Sequence, residues 1–156
     1  MATVTLAQHI EHWPIEKLIP YARNPRTHSE AQVAQIASSI AEFGFTNPIL
    51  VDSKAGVVAG HGRLLAARKL GLKEVPIIKL DHLSETQKRA YIIADNKLAL
   101  NAGWDDELLA LELVELKEAH FDLNVLGFDP KELDDLLTGV DDEKADDVPF
   151  CPIQTA

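Results

Sequence analysis

The chain has 156 residues, 46% hydrophobic and 26% charged, enough for one packed domain with a small appendage and too apolar for a disordered segment. Apolar runs such as Pro48–Val51 and Tyr91–Ala94 fall far below the roughly 20 residues of a spanning helix, and Met1–His12 lacks the basic start and apolar block of a secretory signal. With one cysteine, Cys151, no internal disulfide can form, so the expectation is a soluble cytoplasmic protein with no membrane partner.

Taken whole, the net charge of −10 argues against nucleic acid, but it is uneven. Residues 1–103 hold 12 Lys/Arg against 9 Asp/Glu, whereas residues 104–156 hold 3 against 16. The two parts present opposite fields.

In chain order, His12–Ile19 is a short mixed stretch ending at Pro20, and Tyr21–Arg26 contains an Asn-Pro pair that favours a turn. Ser29 is placed to cap a helix, with Gln32 completing a capping box, while Val33, Ile36, Ala37, Ile40 and Phe43 recur at helical spacing up to a stop at Gly44. Pro48–Asp52 and Val57–Ala59 read as strands around a turn at Ser53–Gly56. Gly60-His61-Gly62 then leads into a helix over Arg63–Leu70 that ends at Gly71, and Val75–Leu80 is a further strand. Ser84 and Gln87 offer a second capping box, for a helix through about Ala94. This order predicts a compact α/β or α+β unit over 1–103.

Beyond Gly103 the pattern changes. Asp105–Ala119 predicts an acidic helix with a broad leucine face, and Asp129, Pro130 and Glu132 open a short final helix. The helical extension is therefore expected over 104–138. From Gly139 onward the acidic stretch reads as a flexible tail, 139–156.

The piece richest in chemistry is Val57–Arg68, a strand running through two glycines into a helix. Unpaired N–H groups and a partial positive charge at a helix start suit a phosphate, and Arg63 adds a formal charge. A tight turn in which Gly60 and Gly62 supply unusual backbone angles explains the same residues equally well, and no Gly-Lys-Ser/Thr follows. His61 is a candidate acid/base, donor or phosphate ligand, against a plain solvated loop histidine. Beyond His9-x-x-His12 the histidines form no cluster, and no Cys or carboxylate stands at ligand spacing nearby, which argues against a metal site built on histidines. Glu85 and Arg89, four apart, fit either an i,i+4 ion pair or a cation-and-phosphate pair. Asp95-Asn96 fits a helix end or a polar ligand contact. Arg23 and Arg26 place two guanidinium groups on one turn, and Thr46-Asn47 precede a strand where a base or ribose could be read.

Arg23–Arg26, Ser39–Val51, Ala59–Arg63 and Leu70–Pro76, in that order, resemble the ParB/sulfiredoxin superfamily N-terminal domain. Ile92–Leu100, Gly103–Asp105 and Leu126–Phe128 extend the resemblance to the ParB-like module that precedes phage-type DNA modification methyltransferases. The resemblance implies an α+β fold, a small mixed sheet with helices followed by a C-terminal helical extension. It also implies binding of CTP or ATP with Mg2+, with nucleotide hydrolysis left open, in an accessory module for DNA modification or partition. Carried over by position, Gly60, His61, Gly62 and Arg63 cradle phosphates, Thr46 and Asn47 lie near the base or sugar, and Glu85 and Arg89 lie near metal and phosphate, Glu85 being the metal candidate. Arg23, Arg26, Arg68 and Lys69 are further candidates for phosphate or DNA contact. The implied partners are nucleotide, DNA, a methyltransferase domain or subunit, and a second copy in a homodimer.

There are departures from the family pattern. Partition proteins carry Gly-Glu-Arg-Arg where Gly60–Arg63 stands, and Glu-Asn-x-x-Arg where Glu85–Arg89 stands. Sulfiredoxin activity needs a loop thiolate where this chain has His61 and Gly62. The absence of an Asp/Asn-Pro-Pro-Tyr-type motif excludes a complete methyltransferase, so the chain is expected to be an N-terminal module or a short stand-alone relative. Two other readings compete with the nucleotide module: a DNA-binding or specificity module without turnover, and a protein-interaction module whose acidic helix docks on a partner.

Overall fold

Along Glu74–Lys79, fully buried Val75 and Ile77 alternate with more exposed neighbours, the period of a strand with one face in a core. With Ile10–Pro14 (β1), Ile49–Val51 (β2) and Val57–Ala59 (β3), this strand (β4) forms a four-stranded sheet in the order β1-β4-β2-β3. The β1–β4 and β2–β3 pairs are antiparallel, and β2–β4 is parallel. The parallel pair needs a crossover, supplied by β3 and the helix His61–Lys69 (α2). The expected mixed sheet is present, and its first strand lies at Ile10–Pro14, two residues ahead of the mixed stretch His12–Ile19 in which the sequence placed it. A computed structural model provides this description for residues 3–7 and 9–141; the expected tail from residue 142, with Cys151, lies outside the described residues.

One apolar cluster holds the sheet to α2: Leu18, Ile49, Val51, Val57, Leu64, Ala67, Val75 and Ile77. Trp13 packs against it, and the Lys17 ammonium lies 3.8 Å from the Trp13 ring centroid.

Most helix ends follow their sequence signals. The helix Glu30–Phe43 (α1) is capped by the Ser29 hydroxyl and stopped at Gly44, φ 88°. Only half of the expected capping box forms there, because the Gln32 side-chain oxygen meets His28 Nδ1 at 3.0 Å. The helix Glu85–Asn101 (α3) has the complete Ser84/Gln87 box and runs past the expected end at Ala94. Asp105 caps Asp106–Glu118 (α4). At Pro130–Asp141 (α5), Asp129 and Glu132 each accept the other's backbone N–H, at 2.8 Å, and the helix continues through Gly139.

The chain divides into two compact units, Met1–Gly103 with Val125–Gly127, and Trp104–Asn124 with the residues from Phe128. The second is an α4–α5 pair with Ala110, Leu113 and Leu133 buried, and with the Trp104 and Phe128 rings 5.9 Å apart. Among the described residues, no helix is long and apolar enough to cross a membrane.

Candidate functional site

α2 differs from every other described helix at its start. α1, α3, α4 and α5 each have a side-chain cap and an acidic residue in the first turn. α2 has neither: its N-cap is Gly60, φ 99°, and its first turn is His61-Gly62-Arg63. The leading N–H groups therefore lack a side-chain acceptor, and the dipole there is uncompensated by a carboxylate. Such an end suits an anion.

The two glycines have separate explanations. Gly60 takes a left-handed conformation, and a Cβ there would lie 2.9 Å from Arg63 Nη2 and 3.2 Å from Ile49. Its bareness lets the Arg63 side chain fold back so that Nη2 donates to the Pro48 carbonyl at 2.9 Å. Gly62 needs no unusual angle and lies inside α2, so the helix starts two residues earlier than the sequence suggested. A Cβ at Gly62 would stand 2.8 Å from Ile36 Cδ1 and 3.0 Å from the His28 ring. Close packing of α1 on α2 therefore favours glycine at that position.

His61 is tied down rather than free in solvent. The Tyr21 N–H donates to its Nε2 at 3.2 Å, which requires a neutral ring with the proton on Nδ1. Burial, and then the nearby His28, hold His61 below the usual imidazole range. Between the Pro20–Arg26 turn, His28 and the first turn of α2 lies a hollow of about 250 Å³ that no carboxylate lines, with Arg26 in its wall. Because folding lowers the His61 pKa, the unfolded chain binds more protons in acid; this contribution to stability is complete above about pH 6.5 and is lost as pH falls through the folded value. Protonation also removes the acceptor of the Tyr21 amide. The hydrogen-exchange protection factor of that amide should fall once pH drops below about 6.5 far enough to protonate His61, and a factor constant down to the acid unfolding of the chain would contradict the assignment.

Arg63 is the most constrained cation. Burial lowers its pKa, opposed by Asp95 and then Tyr91 on α3. Its Nε is buried without a hydrogen-bond partner. Burial, then Asp95, pushes the Tyr91 phenol up, and the phenol oxygen lies 3.5 Å from Asp95 Oδ1. Asn96 donates to the Ile92 carbonyl at 2.7 Å. The acid facing Arg63 is therefore Asp95, one of the pair the sequence left open between helix end and ligand contact. Sequence reasoning passed over Tyr91, although its i,i+4 spacing to Asp95 was a usable signal.

Glu85 and Arg89 lie elsewhere. Glu85 opens α3, ten residues before Asp95, which is roughly 15 Å along a helix. It pairs at i,i+3 with Lys88, at 2.6 Å, in place of the expected i,i+4 pair with Arg89, and Arg89 is exposed. Lys88 also meets Asp52 at 2.8 Å, and Asp52 accepts the Lys54 and Gly56 N–H groups in the β2–β3 turn. Burial alone would raise the Asp52 pKa; the Lys88 hydrogen bond and the two backbone donors overcome that and hold it below the usual carboxylate range.

The remaining candidates divide by position. Exposed Thr46 and Asn47 immediately precede Pro48, whose carbonyl Arg63 holds. Arg23 is exposed on the turn that carries Arg26. Arg68 and Lys69 occupy the last turn of α2, roughly 10 Å from its glycine start, where cations complement the helix dipole. Among the described residues, no group of three or more His, Cys, Asp or Glu side chains could hold a metal alone.

Residues 2–97, the span that contains the sheet and the start of α2, match the ParB N-terminal domain. The chain belongs to the ParB N-terminal domain family. Residues 107–156 match the ParB-methyltransferase HTH domain. The chain is 50% identical over 80 residues to the ParB-like nuclease domain-containing protein YnaK of Escherichia coli (strain K12), covering 51% of this chain and 92% of that protein. It is 32% identical over 94 residues to the nucleoid occlusion protein of Bacillus thuringiensis (strain Al Hakam), covering 57% of this chain and 32% of that relative, about a third of its length. Among solved structures, C-terminally truncated ParB from Caulobacter crescentus complexed with CTP-gamma-S is similar at a TM-score of 0.71 and 25% identity, covering 86% of this chain and 79% of that one.

Proposed function

We propose that the ParB unit binds a nucleoside triphosphate, CTP or ATP with Mg2+, at the start of α2, and serves as an accessory module in a DNA transaction such as modification or partition. The observation that carries this reading is the start of α2, alone among the described helices in lacking both a side-chain cap and a first-turn acid. Likeness to a ParB complexed with CTP-gamma-S supports the choice of nucleotide.

The residues fit a phosphate. The N–H groups of His61, Gly62 and Arg63 bind oxygens, and the orphaned Arg63 Nε supplies a buried donor awaiting an acceptor. Thr46 and Asn47 lie beside the base or sugar. Magnesium bound through phosphates needs only one or two protein carboxylates; Glu85, exposed at the start of α3 beside Lys88, is the candidate the resemblance gives, and Asp95, with Asn96 beside it and facing Arg63, is a second. The metal, when bound, neutralises phosphate charge. Arg23, Arg26, Arg68 and Lys69 remain proposed phosphate or DNA contacts, and a methyltransferase subunit or a second copy remains a proposed partner.

Calorimetric titration of the folded chain with CTP, ATP, GTP and UTP, each with Mg2+, tests the reading. Saturable heat is expected with CTP or ATP, weakened by Arg63→Lys, which keeps the charge and loses the planar fork. Absence of heat with all four would overturn it.

A further inference from the structure

The outer face of α4 takes no part in the α4–α5 core. At 3.6 residues per turn, Leu108, Leu111, Glu112 and Glu115 fall within an arc of about 100°, while buried Ala110 and Leu113 point the other way, toward that core. Leu108 and Leu111 remain 61% and 46% exposed. Isolated exposed leucines need no explanation. Two on one helix face, bordered by exposed glutamates, form a mixed apolar and acidic surface.

The unit's charge restricts what can cover that surface. Its described residues hold 2 Lys/Arg against 12 Asp/Glu, and α5, the second helix of the pair, contributes Lys131 against Glu132, Asp134, Asp135 and Asp141. A helix pair approaching duplex DNA neutralises phosphates with lysine and arginine; here the field repels them. We infer that the Leu108/Leu111 face of α4, edged by Glu112 and Glu115, docks on a protein surface that offers an apolar groove bordered by lysine or arginine. Apolar contact supplies affinity there, and the glutamates set orientation and speed encounter.

Fluorescence anisotropy with the full chain tests this, using a labelled 18-residue helical peptide of lysine and leucine, with the leucines at i, i+3, i+4 and i+7, in roughly physiological salt. The chain should bind this peptide, and L108S/L111S and E112Q/E115Q should each weaken binding by about tenfold or more, with the circular dichroism melt unchanged because all four side chains are exposed. No binding of the peptide, or an affinity within about twofold of the original in either double variant, would overturn the inference; unchanged binding in L108S/L111S would mean simple charge attraction. Equal binding of the matched glutamate and leucine peptide would also overturn it. So would tight binding of a 30-base-pair duplex that L108S/L111S abolishes, which would assign the face to DNA.

Discussion

Gly60→Val should lower the stability of the folded chain by about 3–5 kcal/mol and abolish nucleotide binding. A β-branched residue in a left-handed conformation costs roughly 1–3 kcal/mol. The new Cβ would fall 2.9 Å from Arg63 Nη2 and 3.2 Å from the fully buried Ile49. The guanidinium must then leave, which breaks its bond to the Pro48 carbonyl; hydrogen bonds to charged groups contribute about 1.5–3 kcal/mol. Urea denaturation should show a lower midpoint with an unchanged slope. The same displacement dismantles the start of α2, so nucleotide heat should vanish under conditions where the variant is still folded. Near-wild-type stability would mean that Arg63 does not depend on the bareness of Gly60.

Asp52→Ala has the second large expected effect, roughly 2–4 kcal/mol, through the loss of three contacts at once. The carboxylate caps the turn through Lys54 and Gly56 N–H groups and holds Lys88 of α3 at 2.8 Å. Removing it leaves two backbone donors and a largely covered ammonium without that acceptor. Asp52→Asn should retain part of the turn and lose the charge pairing, and so fall between the two. Since folding depresses the Asp52 pKa, its contribution is present above the unfolded value near 4 and lost as pH falls below it. Stability measured from roughly pH 6 down to pH 2 should therefore decline less steeply in Asp52→Asn than in the original chain. Parallel curves would contradict the assigned role.

The sequence was most legible where a local interaction decides structure. Ser29, Ser84 and Asp129 cap the helices their spacing predicts, and Gly44 stops α1, because caps and stops act within one turn. It was least legible where a neighbour from far along the chain decides. β1 is an edge strand with only Trp13 drawn toward the core, so it lacks an alternating pattern and depends on its pairing with β4. Gly62 reads as a turn glycine but lies inside α2, where Ile36 and the His28 ring leave no room for a Cβ. α3 outlasts its predicted end while exposing Ile93, Leu98 and Leu100, which gives no clean periodic face.

The site divides in the same way. The glycine-led start of α2 was readable as a phosphate-capable turn, but the return of Arg63 onto Pro48 and its place in the field of Asp95 and Tyr91 come from the meeting of three distant segments. Arg63 consequently has a structural duty besides any ligand contact. Arg63→Ala should weaken the fold as well as the site.

The central claim is that nucleotide phosphates sit on the first turn of α2. The most direct measurement is a titration of the 15N-labelled chain with CTP-gamma-S and Mg2+, followed through backbone amide shifts. The largest saturable changes are expected at His61, Gly62 and Arg63, with smaller ones at Thr46, Asn47 and Asp95. Absence of saturable shifts, or shifts confined to residues away from the start of α2, would contradict it.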